Sequence, residues 1–458
     1  MATQLPVSPI EGQEAEIGLD KYTYTEGVWK KIVVTLLDTS TEQVIDSRKV
    51  FEVTPQITNA PSANRDAVNK SYVDSKFATV GLTTDDYQGV YGLNWDETND
   101  TYLRTGSAGY TAIQSRIRRC VLNDDRSVNY YLDEFDSNKK ADGTPSVLTG
   151  EDGNVMDEIP RFYKSYVYNE AVGVVHEHSI SLTQETGYVI DPAFVVEGEE
   201  VAVRYLPAYR GTRVGGKLRS ISGTYPSVSF TRATGRTEAA AIGAGWHQVD
   251  FLLYEAMTLL CIIEYGTMNI QDALGQGRTR LSGGAWVGGS YIGINGLSNN
   301  LGNKSGNYTY VGDADNAQAD LSFMSYRGCE NFFGNIWLFL DGINVYNHVA
   351  YINSNPSTFA DDIITGDYIS SGVPMGAASG YARKLGNSSQ GFFPVNVTGG
   401  ASNVGTTDYY YQTTTADVHT IALVGGYAST LLDAGPLALT VGNDSGLSTV
   451  HVGSGPSC

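Results

Sequence analysis

The alternation of hydrophobic and polar positions predicts a small β unit at the start of the chain. Residues 29–37 (WKKIVVTLL) and 44–53 (VIDSRKVFEV) are rich in β-branched side chains, which favour strands. Asp38 and the short polar residues after it supply turn chemistry between these two segments. A unit as small as residues 1–60 buries little surface by itself. We therefore expect it to dock on other copies of the chain or on a larger particle.

A short helix is predicted between this unit and the rest of the chain. Pro61 breaks regular structure, Ser62 is a plausible N-cap, and residues 63–77 have a helical composition, which places the linker helix within residues 61–79. The apolar positions of this segment that fall roughly on one side are Val68, Tyr72, Val73 and Phe77. Because four turns are marginal for an isolated helix, two interpretations stay open: a helix on the surface of a globular domain, or a short parallel bundle in which those four side chains form the trimer contact.

Residues 80–458 are predicted to form one large domain, with a sub-boundary near residue 240. The strand candidates in its first half are 128–132, 162–167, 179–182 and 201–205. The one strong helix covers residues 246–265, is apolar almost all the way round, and is therefore expected to be buried against a sheet. Gly266 is expected to end it as a C-cap. The Gly-rich segments beyond it predict long ordered loops.

Charge and composition narrow the range of partners. Lys and Arg total 30 against 50 Asp and Glu, which gives a net charge of −20, so nucleic acid and anionic lipid are not expected as partners. The longest apolar run, 251–263, is too short for a membrane span, and no membrane insertion is expected. The four cysteines have neither CxxC nor zinc-site spacing. We expect reduced thiols and assembly in a cytoplasm.

No catalytic residue, metal site or cofactor is predicted. The sequence contains no GxSxG, Walker or HExxH motif. His176 and His178 alternate on a predicted strand and so face one side, but they lack an obvious third metal ligand. His247 and Asp250 stand three residues apart at the predicted helix start, where an aspartate complements the helix dipole. We interpret both pairs as structural.

Two sets of motifs resemble proteins of tailed bacteriophages. Residues 67–76 (AVNKSYVDSK) resemble a linker helix that in phage tail and fibre proteins follows the virion-anchoring segment. A longer series, in order and spacing, resembles the C-type-lectin-like (formylglycine-generating-enzyme-like) domain of phage tropism determinants: 129–133, 148–156, 159–163, 191–194, 205–209, 217–223, 264–267, 326–331, 333–337, 341–344, 423–426 and 434–436. This resemblance implies an α+β fold with a small N-terminal β anchor, a linker helix and a large loop-rich distal domain.

The resemblance also implies a ligand surface built from C-terminal loops. Segments 399–403, 408–415 and 425–427 combine tyrosine with small polar residues, as antibody paratopes do. The residues predicted to bind the receptor are Asn403, Asp408, Tyr409, Tyr410, Tyr411 and Tyr427. In the alternative interpretation, the three consecutive tyrosines form an ordinary strand with the middle ring buried. The calcium-binding triplets of sugar-binding C-type lectins are absent from the sequence, so calcium-dependent sugar binding is not expected.

The sequence therefore predicts a structural virion fibre or spike that binds a host cell-surface receptor, and not an enzyme. Residues 1–60 would attach it to other virion proteins, residues 61–79 would align a homotrimer, and residues 80–458 would contact a host glycan or surface protein. A capsid head fibre with the same architecture is the first alternative. A glycan-cleaving tailspike is the second, because any acidic surface offers carboxylate pairs.

Overall fold

The structure is a computed structural model, and it describes residues 14–17, 20–25, 28–32, 89–106, 111–169, 175–281, 291–312, 317–398, 406–412 and 417–458. The chain divides into two compact units, Met1–Lys76 and Phe77–Cys458. In the first unit, an antiparallel sheet runs in the order β1 (Glu14–Ile17), β2 (Asp20–Thr25), β3 (Val28–Ile32). β3 covers the start of the predicted strand 29–37.

Several predicted features of the N-terminal region lie outside the described residues. These are the second predicted strand, 44–53, the linker helix, 61–79, and the proposed trimer contacts Val68, Tyr72, Val73 and Phe77. The structure therefore leaves them as predictions.

The α+β fold class predicted for the chain is wrong, because the structure is mostly β. Of the described residues, 40% lie in strands and 14% in helices. The helices are α1 (Arg232–Ala240), α2 (Phe251–Tyr265) and α3 (Ile270–Leu274). Short 3-10 helices cover Gln114–Arg116, Pro192–Phe194, Asn299–Leu301, Ala319–Leu321, Pro356–Thr358 and Leu431–Asp433. The Gly-rich region expected to form loops supplies long strands instead, and this accounts for the error.

Two antiparallel sheets come from the first half of the second unit. The five-stranded sheet, in the order β11-β9-β10-β4-β5, consists of β4 (Tyr91–Asp96), β5 (Thr101–Gly106), β9 (Tyr163–Asn169), β10 (Val175–Ser181) and β11 (Val189–Ile190). The four-stranded sheet, in the order β14-β8-β6-β7, consists of β6 (Arg118–Leu122), β7 (Val128–Tyr131), β8 (Asn154–Pro160) and β14 (Val203–Pro207). Each of the four strand candidates of this region overlaps one of these strands, which confirms them with shifted ends.

The largest sheet comes from the second half and curls towards closure. Its members are β21 (Trp337–Tyr346), β22 (Val349–Ile352), β23 (Ile369–Pro374), β24 (Gly380–Ser388), β25 (Gly391–Thr398), β26 (Tyr409–Gln412), β27 (His419–Gly425), β28 (Gly435–Asn443) and β29 (Val452–Gly453). The order is β23-β22-β21-β27-β28-β26-β24-β25, with β29 beside β21. Just after β23, the Gly376 amide donates a hydrogen bond of 2.8 Å to the Pro394 carbonyl of β25. The two ends of the sheet therefore nearly meet.

Smaller sheets complete the second unit. They pair β12 (Val195–Val196) with β13 (Glu199–Glu200), β15 (Thr212–Val214) with β16 (Lys217–Arg219), β17 (His247–Gln248) with β30 (Pro456–Ser457), and β18 (Gly306–Tyr308) with β19 (Phe323–Tyr326) and β20 (Cys329–Glu330).

Helix α2 is the centre of the main hydrophobic core. Its residues from Phe251 to Ile263 are buried, as the nearly continuous apolar pattern predicted. The Phe251 ring stacks on Phe393 of β25 at 5.6 Å between centroids, so the helix packs against the largest sheet. Gly266 ends the helix with a left-handed φ of 68°, which confirms the predicted C-cap. The helix begins after Asp250, later than predicted, because the residues before Asp250 pair with β30.

Candidate functional site

The tyrosine strand β26 lies inside the largest sheet, between β24 and β28. Tyr410 is 1% exposed, whereas Tyr409 and Tyr411 are half-buried on the opposite face. The rings of Tyr409 and Tyr411 lie 4.4 Å apart between centroids. The alternative interpretation from the sequence, a strand with the middle ring buried, is thereby confirmed.

Asp433 fixes the orientation of two rings on that face. The Tyr381 hydroxyl donates to Oδ1 of Asp433 at 2.7 Å, and the Tyr411 hydroxyl donates to Oδ2 at 3.2 Å. The hydrogen bond to Asp433 raises the pKa of Tyr381 to about 12, and burial followed by the charge of Asp433 raises the pKa of Tyr411. Both phenols therefore stay protonated near neutral pH and act as rigid, uncharged surfaces.

A cleft of about 370 Å³ opens beside this strand, and we name it the tyrosine cleft. It is lined by Trp337, Tyr411, Leu423, Tyr427, Thr440, Asn443, Leu447, Thr449, His451 and Val452. The rings of Trp337 and Tyr411 meet edge to face at 6.0 Å, and the rings of Tyr427 and His451 stack at 4.7 Å. Aromatic walls of this kind provide a large contact area that costs little conformational entropy on binding.

The polar groups of the tyrosine cleft are uncharged at neutral pH. Its lining contains no Lys, Arg, Asp or Glu, and burial lowers the pKa of His451, which keeps that imidazole neutral. The Asn443 amide donates to the Thr440 hydroxyl at 3.3 Å. The buried hydroxyl oxygen of Thr449 has no hydrogen-bond partner among the described residues. Amide and hydroxyl groups between aromatic rings suit a neutral ligand with both C–H faces and hydroxyl groups.

The structure separates the predicted receptor-binding residues into three groups. Tyr411 and Tyr427 line the tyrosine cleft, and Tyr409 lies beside Tyr411. Asp408 and Tyr410 are each 1% exposed, so a direct receptor contact through either side chain does not fit the fold. Asn403 lies outside the described residues.

Asp408 has a structural position instead. Its Oδ2 accepts a 2.7 Å hydrogen bond from the Leu437 amide of β28, which ties the start of β26 to its neighbouring strand. Burial raises the pKa of this carboxyl well above its ordinary value. Its place in the sequence, next to three tyrosines, gave no sign of this burial.

Sequence reasoning missed several residues of the cleft. Trp337 belongs to a quoted motif but was not singled out, and Asn443 and His451 come from the Gly-rich C-terminal region. The available signal was the apolar run 437–441, which is long enough for a strand and would have placed Asn443 at a strand end.

The two histidine pairs of the sequence analysis have packing and hydrogen-bonding partners. His176 contacts Glu97 at 2.8 Å and the Tyr166 hydroxyl at 2.9 Å. Asp250 caps helix α2 through the Leu253 amide and pairs with Arg204 at 2.7 Å. Burial favours the neutral form of Asp250, but Arg204 and His247 outweigh it and lower the pKa. The aspartate thus acts at the helix start, as predicted, and balances a buried arginine.

The described residues contain neither a metal-binding cluster nor a membrane-spanning helix. Within the described ranges, no three His, Cys, Asp or Glu side chains are placed to hold a metal ion. None of the helices among the described residues has the length and apolarity needed to cross a membrane. The four cysteines are buried and unpaired. The chain matches no protein-family model and no curated protein.

Proposed function

We propose that this chain is a virion fibre or spike protein of a tailed bacteriophage, and that it binds an uncharged host-surface saccharide in the tyrosine cleft. The observation that carries the proposal is the lining of that cleft, where four aromatic rings surround amide and hydroxyl groups and no charged side chain is present. Aromatic rings stack on the C–H faces of sugars, and amide and hydroxyl groups bond to sugar hydroxyls. The virion context rests on the resemblance of residues 67–76 and of the later motifs to phage proteins.

The charge of the chain agrees with a neutral ligand. A net charge of −20 repels anionic polysaccharides at long range, and the cleft offers no cation to recover that cost. The rigid placement of Tyr411 by Asp433 keeps the entropic cost of binding low. Neutral hexose or N-acetylhexosamine units in a bacterial surface polymer have the matching chemistry.

Display in several copies would strengthen such a weak contact. A homotrimer attached to the particle through residues 1–60 would gain avidity from three clefts that engage one polymer. Light scattering of the full-length protein on a sizing column tests this step, with a mass three times that of one chain as the expected result. A monomer would remove the avidity argument.

An array of bacterial surface glycans, probed with the labelled full-length protein, tests the ligand. Tyr427→Ala removes one wall of the cleft, and we expect at least about a tenfold loss of binding to the selected glycan. The matched control is Tyr225→Ala, since Tyr225 is 62% exposed and does not line the cleft. Equal binding by the two variants would refute the assignment of the cleft.

Two further readouts separate the alternatives. Immunogold labelling of particles distinguishes a tail fibre from a capsid head fibre, which would use the same cleft. Reducing ends released from the selected glycan would show cleavage and would favour the tailspike alternative. Absence of label on particles would contradict the virion proposal while leaving the ligand test intact.

A further inference from the structure

A second cleft, of about 350 Å³, lies between the five-stranded sheet, helix α2 and the β24–β25 turn, and we name it the Glu255 cleft. Its lining residues are Lys164, Ser165, Tyr166, His178, Gly187, Val189, Glu255, Leu259, Asn387, Ser388, Ser389, Gly391 and Phe392. None of these residues belongs to the tyrosine cleft.

Two buried polar side chains face into the Glu255 cleft with unused hydrogen-bonding groups. Glu255 is 7% exposed, and its Oε1 accepts a 3.2 Å hydrogen bond from the Phe392 amide. Its Oε2 accepts none from the part of the chain that the structure describes. His178 is 8% exposed and touches the Tyr166 and Phe392 rings, at 5.0 and 5.6 Å between centroids. Both side chains line the cleft, so a ligand there can reach their remaining donor and acceptor atoms.

Among the described residues, no cation forms an ion pair with Glu255. Lys164 is the lysine in the lining, but its ammonium already pairs with Asp191 at 2.9 Å. The other titratable groups around the carboxyl are His178 and Tyr166, on β10 and β9, and Asp191, whose charge also raises the pKa of Glu255. The Tyr166 hydroxyl is engaged with His176. A charged carboxylate would therefore be buried without an ion-pair partner, which proteins rarely tolerate.

Near neutral pH, protonation of Glu255 removes the unpaired buried charge. Burial raises the pKa of Glu255 to about 8, and Lys164 offsets only part of that effect. Burial also lowers the pKa of His178 to about 3. The cleft then contains a neutral carboxylic acid that can donate through its O–H and a neutral imidazole that can donate and accept. Asn387, Ser388 and Ser389 add an amide and two hydroxyls at the rim.

We propose that the Glu255 cleft is a separate binding site for a single uncharged saccharide unit, held by hydrogen bonds from Glu255 and His178 between the rings of Tyr166 and Phe392. A sugar hydroxyl both donates and accepts, so it can satisfy the carboxyl and the imidazole together. A cationic ligand would have to approach the Lys164 ammonium, and an anionic ligand would find that ammonium already paired with Asp191.

Ligand-observed NMR with the full-length protein tests this site. The probes are glucose, galactose, mannose and N-acetylglucosamine, each titrated at about pH 6.5 and about pH 9. We expect one or more to bind the wild type at the lower pH. At about pH 9 the protonated fraction of a group with a pKa of about 8 falls to roughly a tenth, so binding weakens about tenfold.

Three variants make the test specific. Glu255→Gln keeps a neutral donor and acceptor, so binding is retained and its pH dependence disappears. Glu255→Leu removes both, and binding is lost while the thermal unfolding transition shows that the chain is folded. Glu199→Gln, at an exposed position that does not line the cleft, keeps wild-type binding and wild-type pH dependence.

Each contrary result overturns the proposal. No binding of any probe at either pH removes the site. Binding that strengthens at the higher pH and is lost in Glu255→Gln would show that the ionised carboxylate, and not the carboxylic acid, holds the sugar. Should Glu255→Leu fail to fold, the pH profile of Glu255→Gln alone decides, because a merely structural carboxyl would leave the pH dependence of binding unchanged.

Discussion

Replacing Arg236 by Met is expected to destabilise the second unit through one buried carboxylate. Arg236, on helix α1, binds both carboxylate oxygens of Asp341 of β21 through one edge of its guanidinium, with Nε to Oδ2 at 2.6 Å and Nη2 to Oδ1 at 2.9 Å. The Asp341 side chain is fully buried, and that of Arg236 is 19% exposed. Burial disfavours the charge of Arg236, but the hydrogen bonds and charges of Asp341 and Asp361 outweigh it and raise the pKa of the guanidinium. Without Arg236, Asp341 keeps a nearby backbone amide but loses its cation.

The size of the effect follows from the cost of an uncompensated buried charge. Removing one partner of a buried ion pair costs about 3–5 kcal/mol, and the partial exposure of Arg236 favours the lower end, about 3 kcal/mol. With an unfolding entropy of about 2.1 cal/mol/K per residue and roughly 380 residues in the unit Phe77–Cys458, this lowers Tm by about 4 °C.

Differential scanning calorimetry measures this shift, with Arg161→Met as the matched control. Arg161 pairs with Glu200 at 3.1 Å, but the two side chains are 35% and 57% exposed, so the loss should be below about 1 kcal/mol. Adding Asp341→Asn to Arg236→Met should recover part of the loss, because it removes the buried charge. The reasoning is refuted if Arg236→Met and Arg161→Met shift Tm equally.

Three further perturbations have defined outcomes. Glu255 has a pKa of about 8 in the folded chain, so it keeps a proton that the unfolded chain releases, and the stability of the wild type falls as pH rises from about 4.5 to about 8. Thermal unfolding should therefore show that Glu255→Gln is more stable than the wild type at about pH 8 and equally stable at about pH 4. Burial opposes the charge of Asp361, but Arg232 and Arg236 outweigh burial and lower the pKa of this carboxyl. The charged Asp361 therefore stabilises the fold fully above about pH 4, and this stabilisation is lost in acid. Asp361→Asn should make Tm depend less on pH in the acid range. Gly153→Ala places a methyl group 2.0 Å from a backbone carbonyl oxygen at a φ of +132°, and a loss of more than about 1 kcal/mol in urea unfolding is expected.

Helix α2 shows how far local sequence signals reach. Its apolar pattern and Gly266 predicted its burial and its C-terminal end, because both depend on neighbouring residues in the chain. Its first residue depends on a distant strand, since His247 pairs with Ser457 and holds the preceding segment extended. No local pattern contains that pairing. The sequence contained a local stop signal in Gly266 and a local start signal in Asp250, but the apolar pattern extended the predicted helix back to residue 246.

Helix α1 was missed for a different physical reason. It has almost no apolar stripe, and its arginines are held by Asp341 and Asp361 on other elements. A helix stabilised by ion pairs to distant residues gives no periodic hydrophobic signal. Thr231, whose side chain accepts from the Thr234 amide as an N-cap, was the one local sign.

Local sequence patterns also failed to predict the largest sheet and the tyrosine cleft. Glycine and short polar residues in the second half favoured loops, yet β24 and β28 both begin with glycine and pair with β26. The lining residues of the tyrosine cleft come from the starts or ends of β21, β26, β27 and β28 and from the segment around His451. The tyrosine-rich composition did predict two of its walls, Tyr411 and Tyr427. Which tyrosine was buried depended on strand alternation, which the sequence analysis left open.

Binding of the labelled full-length protein to intact cells, across a panel of bacterial strains, tests the central claim most directly. The account predicts that the wild type and Tyr225→Ala bind the same strains, and that Tyr427→Ala loses at least about tenfold in apparent affinity on each of them. Binding that persists unchanged in Tyr427→Ala would show that the tyrosine cleft is not the receptor site.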